Sequence, residues 1–65
     1  MRTALDTAIL DQMESRGGSF IRALSVAARY ADQENLSRIK TAWADEWDYY
    51  RKMIPNRIQR FEEAQ

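Results

Sequence analysis

Leu36-Ser37-Arg38-Ile39-Lys40-Thr41-Ala42-Trp43-Ala44-Asp45-Glu46-Trp47-Asp48-Tyr49-Tyr50-Arg51-Lys52-Met53-Ile54 is the stretch on which the fold turns. Its large apolar residues Leu36, Ile39, Trp43, Trp47, Tyr50 and Ile54 follow one another at intervals of three or four, and Ile58 and Phe61 prolong the series past Pro55. Such intervals place successive side chains on one face of an α-helix. The pattern predicts a long third helix over 33–53. Pro55 leaves two continuations open. The preserved register favours a kinked helix running on to 64, whereas proline's suitability for a first helical turn favours a short helix restarting over 55–64.

Working back toward the N-terminus, Thr3 with Asp6 three residues later reads as a capping box, with Asp in place of the usual Glu. Leu5, Ala8, Ile9 and Met13 then share a face, so a first helix is predicted over 4–16. Gly17 and Gly18 read as its end, in the left-handed conformation that glycine adopts past helix C-termini, and Ser19 as the N-cap of the next helix. That second helix, over 20–31, carries Phe20, Ile21, Ala23, Leu24, Val26, Ala27, Ala28 and Ala31, with Arg22, Ser25 and Arg29 as a polar strip. A helix apolar around most of its circumference is expected to be the most buried one. Asp32 reads as the cap of the third helix, which Glu34–Arg38 and Asp48–Lys52 pairs support at i,i+4.

The expected fold is therefore all-α: a single small helical domain over 1–65, built as a helical hairpin plus a long third helix kinked or split at Pro55. The first two helices would each be about 20 Å long and a continuous third helix about 48 Å. The hairpin covers less than half of that length, and the uncovered apolar stripe marks an interface. A homodimer with antiparallel pairing of the projecting ends would bury it, as would a turn at Pro55 that folds Ile58 and Phe61 back onto the bundle; the excess of apolar surface on so small a chain favours the dimer. Within the stripe, Trp47, Tyr49, Tyr50, Arg51, Ile54, Arg57, Ile58 and Phe61 combine the aromatic and arginine content of interface hot spots, and they are the candidate partner-binding residues.

Composition narrows the function. A chain of 65 residues is near the lower limit of self-sufficient cores, and the absence of cysteine removes disulfides as reinforcement. Ten basic and ten acidic residues cancel, which argues against a sequence-independent hold on nucleic acid or anionic lipid. No signal peptide or membrane span is recognisable, so a soluble cytoplasmic protein is expected. Histidine is absent along with cysteine, and with them go the commonest general base, metal ligand and thiol nucleophile. No catalytic residue, metal or cofactor is expected. The acidic cluster Asp45, Glu46 and Asp48 beside Tyr49 reads as a solvated face answering Arg51 and Lys52.

Two further sites are open alternatives. Arg16, Gly17, Gly18, Ser19 and Arg22 surround a helix N-terminus, where free amides favour an anion such as a nucleotide phosphate. The order of helices and tight turns also suits a helix-turn-helix reader of DNA, with Arg29, Arg38 and Lys40 near its second corner. Asp45, Glu46 and Asp48 on the presumed reading helix oppose it.

The segment Glu14-Ser15-Arg16-Gly17-Gly18-Ser19-Phe20, followed by Ala23-Leu24, Ala31-Asp32, Asn35-Leu36, Arg38-Ile39 and Trp47, resembles short, mostly uncharacterised α-helical proteins encoded by tailed phages and prophages. The likeness covers 12–50. It departs at Gln33 and Ala44, where that group leads one to expect proline. The resemblance implies an accessory protein of the host-cell cytoplasm that binds a host factor and inhibits or modulates it, for example to block a defence system. It implies no catalytic residues.

Overall fold

A computed structural model describes residues 3–55. They form four helices, α1 (Ala4–Arg16), α2 (Ser19–Tyr30), α3 (Gln33–Ala42) and α4 (Ala44–Arg51), with no strand among the described residues. The all-α class expected from the pattern is the one observed.

α1 starts at a complete capping box. Thr3 Oγ1 accepts from the Asp6 amide at 3.0 Å, and Asp6 Oδ2 accepts from the Thr3 amide at 3.3 Å. Asp6, Ile9, Leu10 and Met13, at helical spacing, form its buried face. α1, not α2, is therefore the centre of the molecule. In α2 the fully buried residues are the small Ser25 and Ala28, while Ile21 and Leu24 are partly covered and Phe20, Val26 and Tyr30 remain exposed. The physical reason is size: small side chains at 25 and 28 let α2 lie close against α1 and leave its larger residues on the flanks. Ser25 keeps its buried hydroxyl satisfied by donating to the Arg22 carbonyl at 2.7 Å. Outside the interface, Arg29 of α2 ties Asp11 of α1 at 2.7 Å and reaches Glu14 at 3.7 Å.

The corner between α1 and α2 differs from its sequence reading in two ways. Gly17 and Gly18 have φ of −78° and −75°, and no glycine among the described residues is left-handed. Gly17 is needed for space instead, since a Cβ there would stand 2.6 Å from both Ile21 Cβ and the Met13 carbonyl oxygen. Gly18 has nothing within 4 Å. Gly18 is also the N-cap of α2, without a side-chain cap hydrogen bond, so Ser19 is the first helical residue rather than the cap.

The largest departure is in the opening stretch. Asp32 caps α3 as read, accepting from the Asn35 amide at 2.8 Å, but the helix stops at Ala42. Trp43, at φ −118° and ψ 41°, separates it from α4. The bonds that a continuous helix would make from the amides of Ala44, Asp45 and Glu46 to the carbonyls of Lys40, Thr41 and Ala42 are absent. Thr41 contributes locally, its hydroxyl donating to the Ser37 carbonyl at 3.0 Å, an arrangement that loosens and bends helices. The larger cause is tertiary. Breaking the helix turns α4 back against α1, so that Trp47, Tyr50 and Ile54 join Ile9, Leu10, Met13, Ala28 and Leu36 in one core. Burying three large side chains contributes about 1.5–3 kcal/mol each. Each forgone backbone bond costs about 0.5–1.5 kcal/mol, less where water replaces it. Burial wins.

α4 ends at Arg51 and does not run through Pro55. The amides of Met53 and Ile54 turn back to the carbonyls of Tyr50 and Arg51 at 3.1 and 3.0 Å. Proline disfavours helical geometry at the residue before it, here Ile54. Any helix restarting over 55–64 lies outside the described residues. A single straight helix of about 48 Å is consequently not formed, and among the described residues of its stripe Leu36, Trp47, Tyr50 and Ile54 are buried.

Candidate protein-binding groove

The face of α2 turned away from α1 and the neighbouring face of α3 enclose a groove of about 450 Å³. Ala27, Tyr30 and Ala31 form the α2 wall, and Asn35, Arg38, Ile39 and Ala42 the α3 wall. Trp43, released from helical geometry, closes one end. Its ring meets Phe20 edge-on, with centroids 5.0 Å apart and planes at 62°. Such pairs are attractive beyond the area they bury, so the groove has a firm aromatic end. Phe20 and Trp43 are nonetheless 56% and 37% exposed, and Tyr30 at the rim is 87% exposed. Apolar side chains gathered around one concavity and left to water form a candidate interaction surface, which scattered ones do not. Alanines at 27, 31 and 42 make the floor shallow enough for a helix or strand to approach closely.

Polar groups on the rim are few. Arg38 donates to Glu34 Oε1 at 2.8 Å, an exposed pair in which the rest of the guanidinium fork faces outward. Asn35 adds one amide. The rim therefore presents the Arg38–Glu34 pair and spare hydrogen-bond donors to whatever enters.

At the far side of α3, Lys40 joins three helices. Its ammonium lies 2.9 Å from Asp6 Oδ1 on α1 and 5.4 Å from the centre of the Trp47 ring on α4. Asp6 is buried, and its two oxygens are divided between the α1 cap and Lys40. The sequence marked Asp6 only as a cap; its role in joining helices has no local signature.

The residues selected from the sequence for partner contact are redistributed. Trp47 and Tyr50, each 8% exposed, and Ile54, 5% exposed, are core. As built, they offer no surface to a partner. The cause is the break at Trp43, which turns inward the stripe that a straight helix would display. Tyr49 is exposed and meets Tyr50 edge-on at 5.0 Å. Arg51 is engaged with Asp48. Arg57, Ile58 and Phe61 lie outside the described residues. The groove residues were not singled out, although the Phe20, Ala23, Ala27 and Tyr30 spacing on α2 carried the signal. It was obscured by assigning all of α2 to the core.

The alternative sites fare as follows. Around the Gly-Gly corner, Arg16 is engaged by Gln12 Oε1 at 2.7 Å, Arg22 and Ser19 are exposed, and Gly17 is filled by its neighbours. The three cations of the DNA reading are all paired: Arg29 with Asp11 and Glu14, Arg38 with Glu34, and Lys40 with Asp6. The break removes Asp45, Glu46 and Asp48 from the presumed reading helix, but it frees no cation. In the acidic cluster, hydrogen bonds from Arg51 and then from Lys52, at 3.3 Å, hold the Asp48 pKa below its ordinary 3.8. Of the face that the sequence read as answering Arg51 and Lys52, Asp48 is the member that pairs with both. Among the described residues no cluster of three acidic, histidine or cysteine side chains is placed to hold a metal, and no helix is long and apolar enough to cross a membrane. No family model matches the chain, and no curated protein or solved structure matches it.

Proposed function

We propose that the protein is a non-catalytic interaction module that binds a helix of another protein in the α2–α3 groove. The observation that carries this reading is the exposed aromatic frame of Phe20, Tyr30 and Trp43 around a shallow, alanine-floored concavity. Helix-in-groove recognition uses apolar anchors at i, i+3 and i+4 laid into such a surface. The spare donors of Arg38, beyond those engaged by Glu34, and the Asn35 amide suit hydrogen-bond acceptors beside those anchors. The phage resemblance supports a host protein in the cytoplasm as the partner, and inhibition or modulation of that protein as the outcome. Ion pairing of Arg29, Arg38 and Lys40 weighs against DNA. The absence of His and Cys from the sequence weighs against most hydrolytic and thiol chemistry.

Affinity capture from host lysate with wild type, Ala27→Glu and Tyr30→Asp tests the reading. Ala27 and Tyr30 are exposed; glutamate is a good helix former at 27, and aspartate at 30, the last residue of α2, costs about 1 kcal/mol, so both variants retain the fold. A partner held by wild type and lost by both variants is expected, with Tyr49→Asp retaining it. The same partner captured equally by all four proteins refutes the groove. Calorimetry with the purified partner then gives the affinity lost.

A further inference from the structure

The connection at Ala42-Trp43-Ala44 is at odds with its own sequence. Lys40-Thr41-Ala42-Trp43-Ala44-Asp45 contains no glycine, proline or asparagine, the residues that ordinarily end a helix. The apolar register passes through it unbroken, from Leu36, Ile39 and Trp43 to Trp47, Tyr50 and Ile54. The helix is continuous on either side to the last residue, with Trp43 donating to the Ile39 carbonyl at 2.9 Å and accepting from the Trp47 amide at 2.9 Å. What keeps α4 folded back is the burial of Trp47, Tyr50 and Ile54 beside α1 and the reach of Lys40 toward Trp47. Those contacts are indifferent to which copy of the chain supplies α4.

We propose that Ala42–Ala44 is a hinge through which two copies exchange α4. In the exchanged dimer α3 and α4 form one straight helix, the amides of Ala44, Asp45 and Glu46 regain their α-helical acceptors, and each core is completed by the Trp47, Tyr50 and Ile54 of the other copy. Exchange of an identical element is a low-cost route to a dimer because it forms no new side-chain interface. A one-residue connection drives it further, since straightening removes the only non-helical residue between the two elements. The occupant of the α1 face vacated by α4 is thus a second copy of this chain. The proposal does not rest on the groove, although exchange moves Trp43 away from Phe20 and so dismantles the aromatic end of the groove.

Sedimentation equilibrium over micromolar to millimolar concentration tests it, before and after heating the protein through unfolding and cooling it at high concentration. Wild type is expected to form dimers that persist on dilution after this treatment, because reversal requires α4 to leave a core. Ala44→Pro is the decisive variant. Residue 44 is the first residue of α4, where its amide has no helical acceptor to lose, and Trp43 before it has only to open ψ from 41° toward the extended range that proline requires; interior to a straight helix, proline loses the bond to Lys40 and clashes. It is expected to abolish the dimer while keeping the monomer's circular dichroism. Ala42→Gly, which weakens the straight helix without blocking the turn, serves if Ala44→Pro does not fold, and is expected to lower the dimer fraction several-fold. Wild type that stays monomeric after the heat treatment overturns the proposal. So does a dimer that survives Ala44→Pro, or Ala42→Gly where that variant serves. A dimer that survives these variants but is lost in Ala27→Glu is a groove dimer, so failure here is distinct from failure of the functional reading.

Discussion

Replacing Asp6 by asparagine tests the junction at which α1, α3 and α4 are held together. Asparagine preserves shape and an acceptor for the Thr3 amide, so the capping box survives and the charge pairing with Lys40 is what disappears. The pair is close, at 2.9 Å, and unequally exposed: the side chains of Asp6 and Lys40 retain 8% and 36% of their accessible surface. Breaking a fully buried pair costs about 3–5 kcal/mol, and an exposed pair contributes about 0–1 kcal/mol. Here the orphaned ammonium is able to turn to water, so Asp6→Asn is expected to cost about 2 kcal/mol, between those limits. That is near half the stability expected of so small a core, about 3–5 kcal/mol, and corresponds to a fall in Tm of about 8–16 °C. Urea unfolding followed by tryptophan fluorescence and circular dichroism measures it. A double-mutant cycle with Lys40→Met, which retains the stem over Trp47, isolates the coupling, expected at about 1.5 kcal/mol. Glu34→Gln is the internal control, since the Glu34–Arg38 pair is almost fully exposed and its loss costs less than about 0.5 kcal/mol. The reasoning is refuted if Asp6→Asn is no more destabilising than Glu34→Gln, or if the coupling to Lys40 vanishes.

Three further outcomes follow from the same structure. Gly17→Ala is expected to destabilise by about 1–3 kcal/mol through its collision with Ile21 and the Met13 carbonyl. Gly18→Ser supplies α2 with the cap it lacks and stabilises by about 0.5–1 kcal/mol, so thermal melts moving both variants in one direction would contradict the packing account. Asp48, whose folded pKa lies below its unfolded 3.8, contributes stability that is present above pH 3.8 and is lost as pH falls through the folded value. Acid unfolding below about pH 4 should therefore be shallower in Asp48→Asn than in wild type, and a steeper acid limb would reverse the assigned sign.

Several features were readable along the chain because their causes are local. The Thr3 capping box, the Asp32 cap and the Glu34–Arg38 and Asp48–Lys52 pairs each join residues three or four apart, and a sequence displays such neighbours directly. The all-α class follows from the same periodicity. The groove was legible in part. Phe20, Ala23, Ala27 and Tyr30 share a face of α2, but nothing in their spacing says whether that face meets α1 or water.

Tertiary packing decided the rest. Periodicity states that Leu36 through Ile54 share a face, and it cannot state that the helix bearing that face will fold in two. The fracture at Trp43 has little local cause beyond the Thr41 back-bond. It occurs because Ile9, Leu10 and Met13, more than twenty residues away in sequence, gain more by covering Trp47, Tyr50 and Ile54 than three backbone bonds lose. The same long-range balance made α1 rather than α2 the centre and gave Gly17 a steric role in place of a conformational one. It also turned the stripe that looked like a binding surface into core and left the outer face of α2 exposed. Short-range chemistry specified which segments are helical, and only the competition among distant apolar surfaces specified where they end and which side of each faces out.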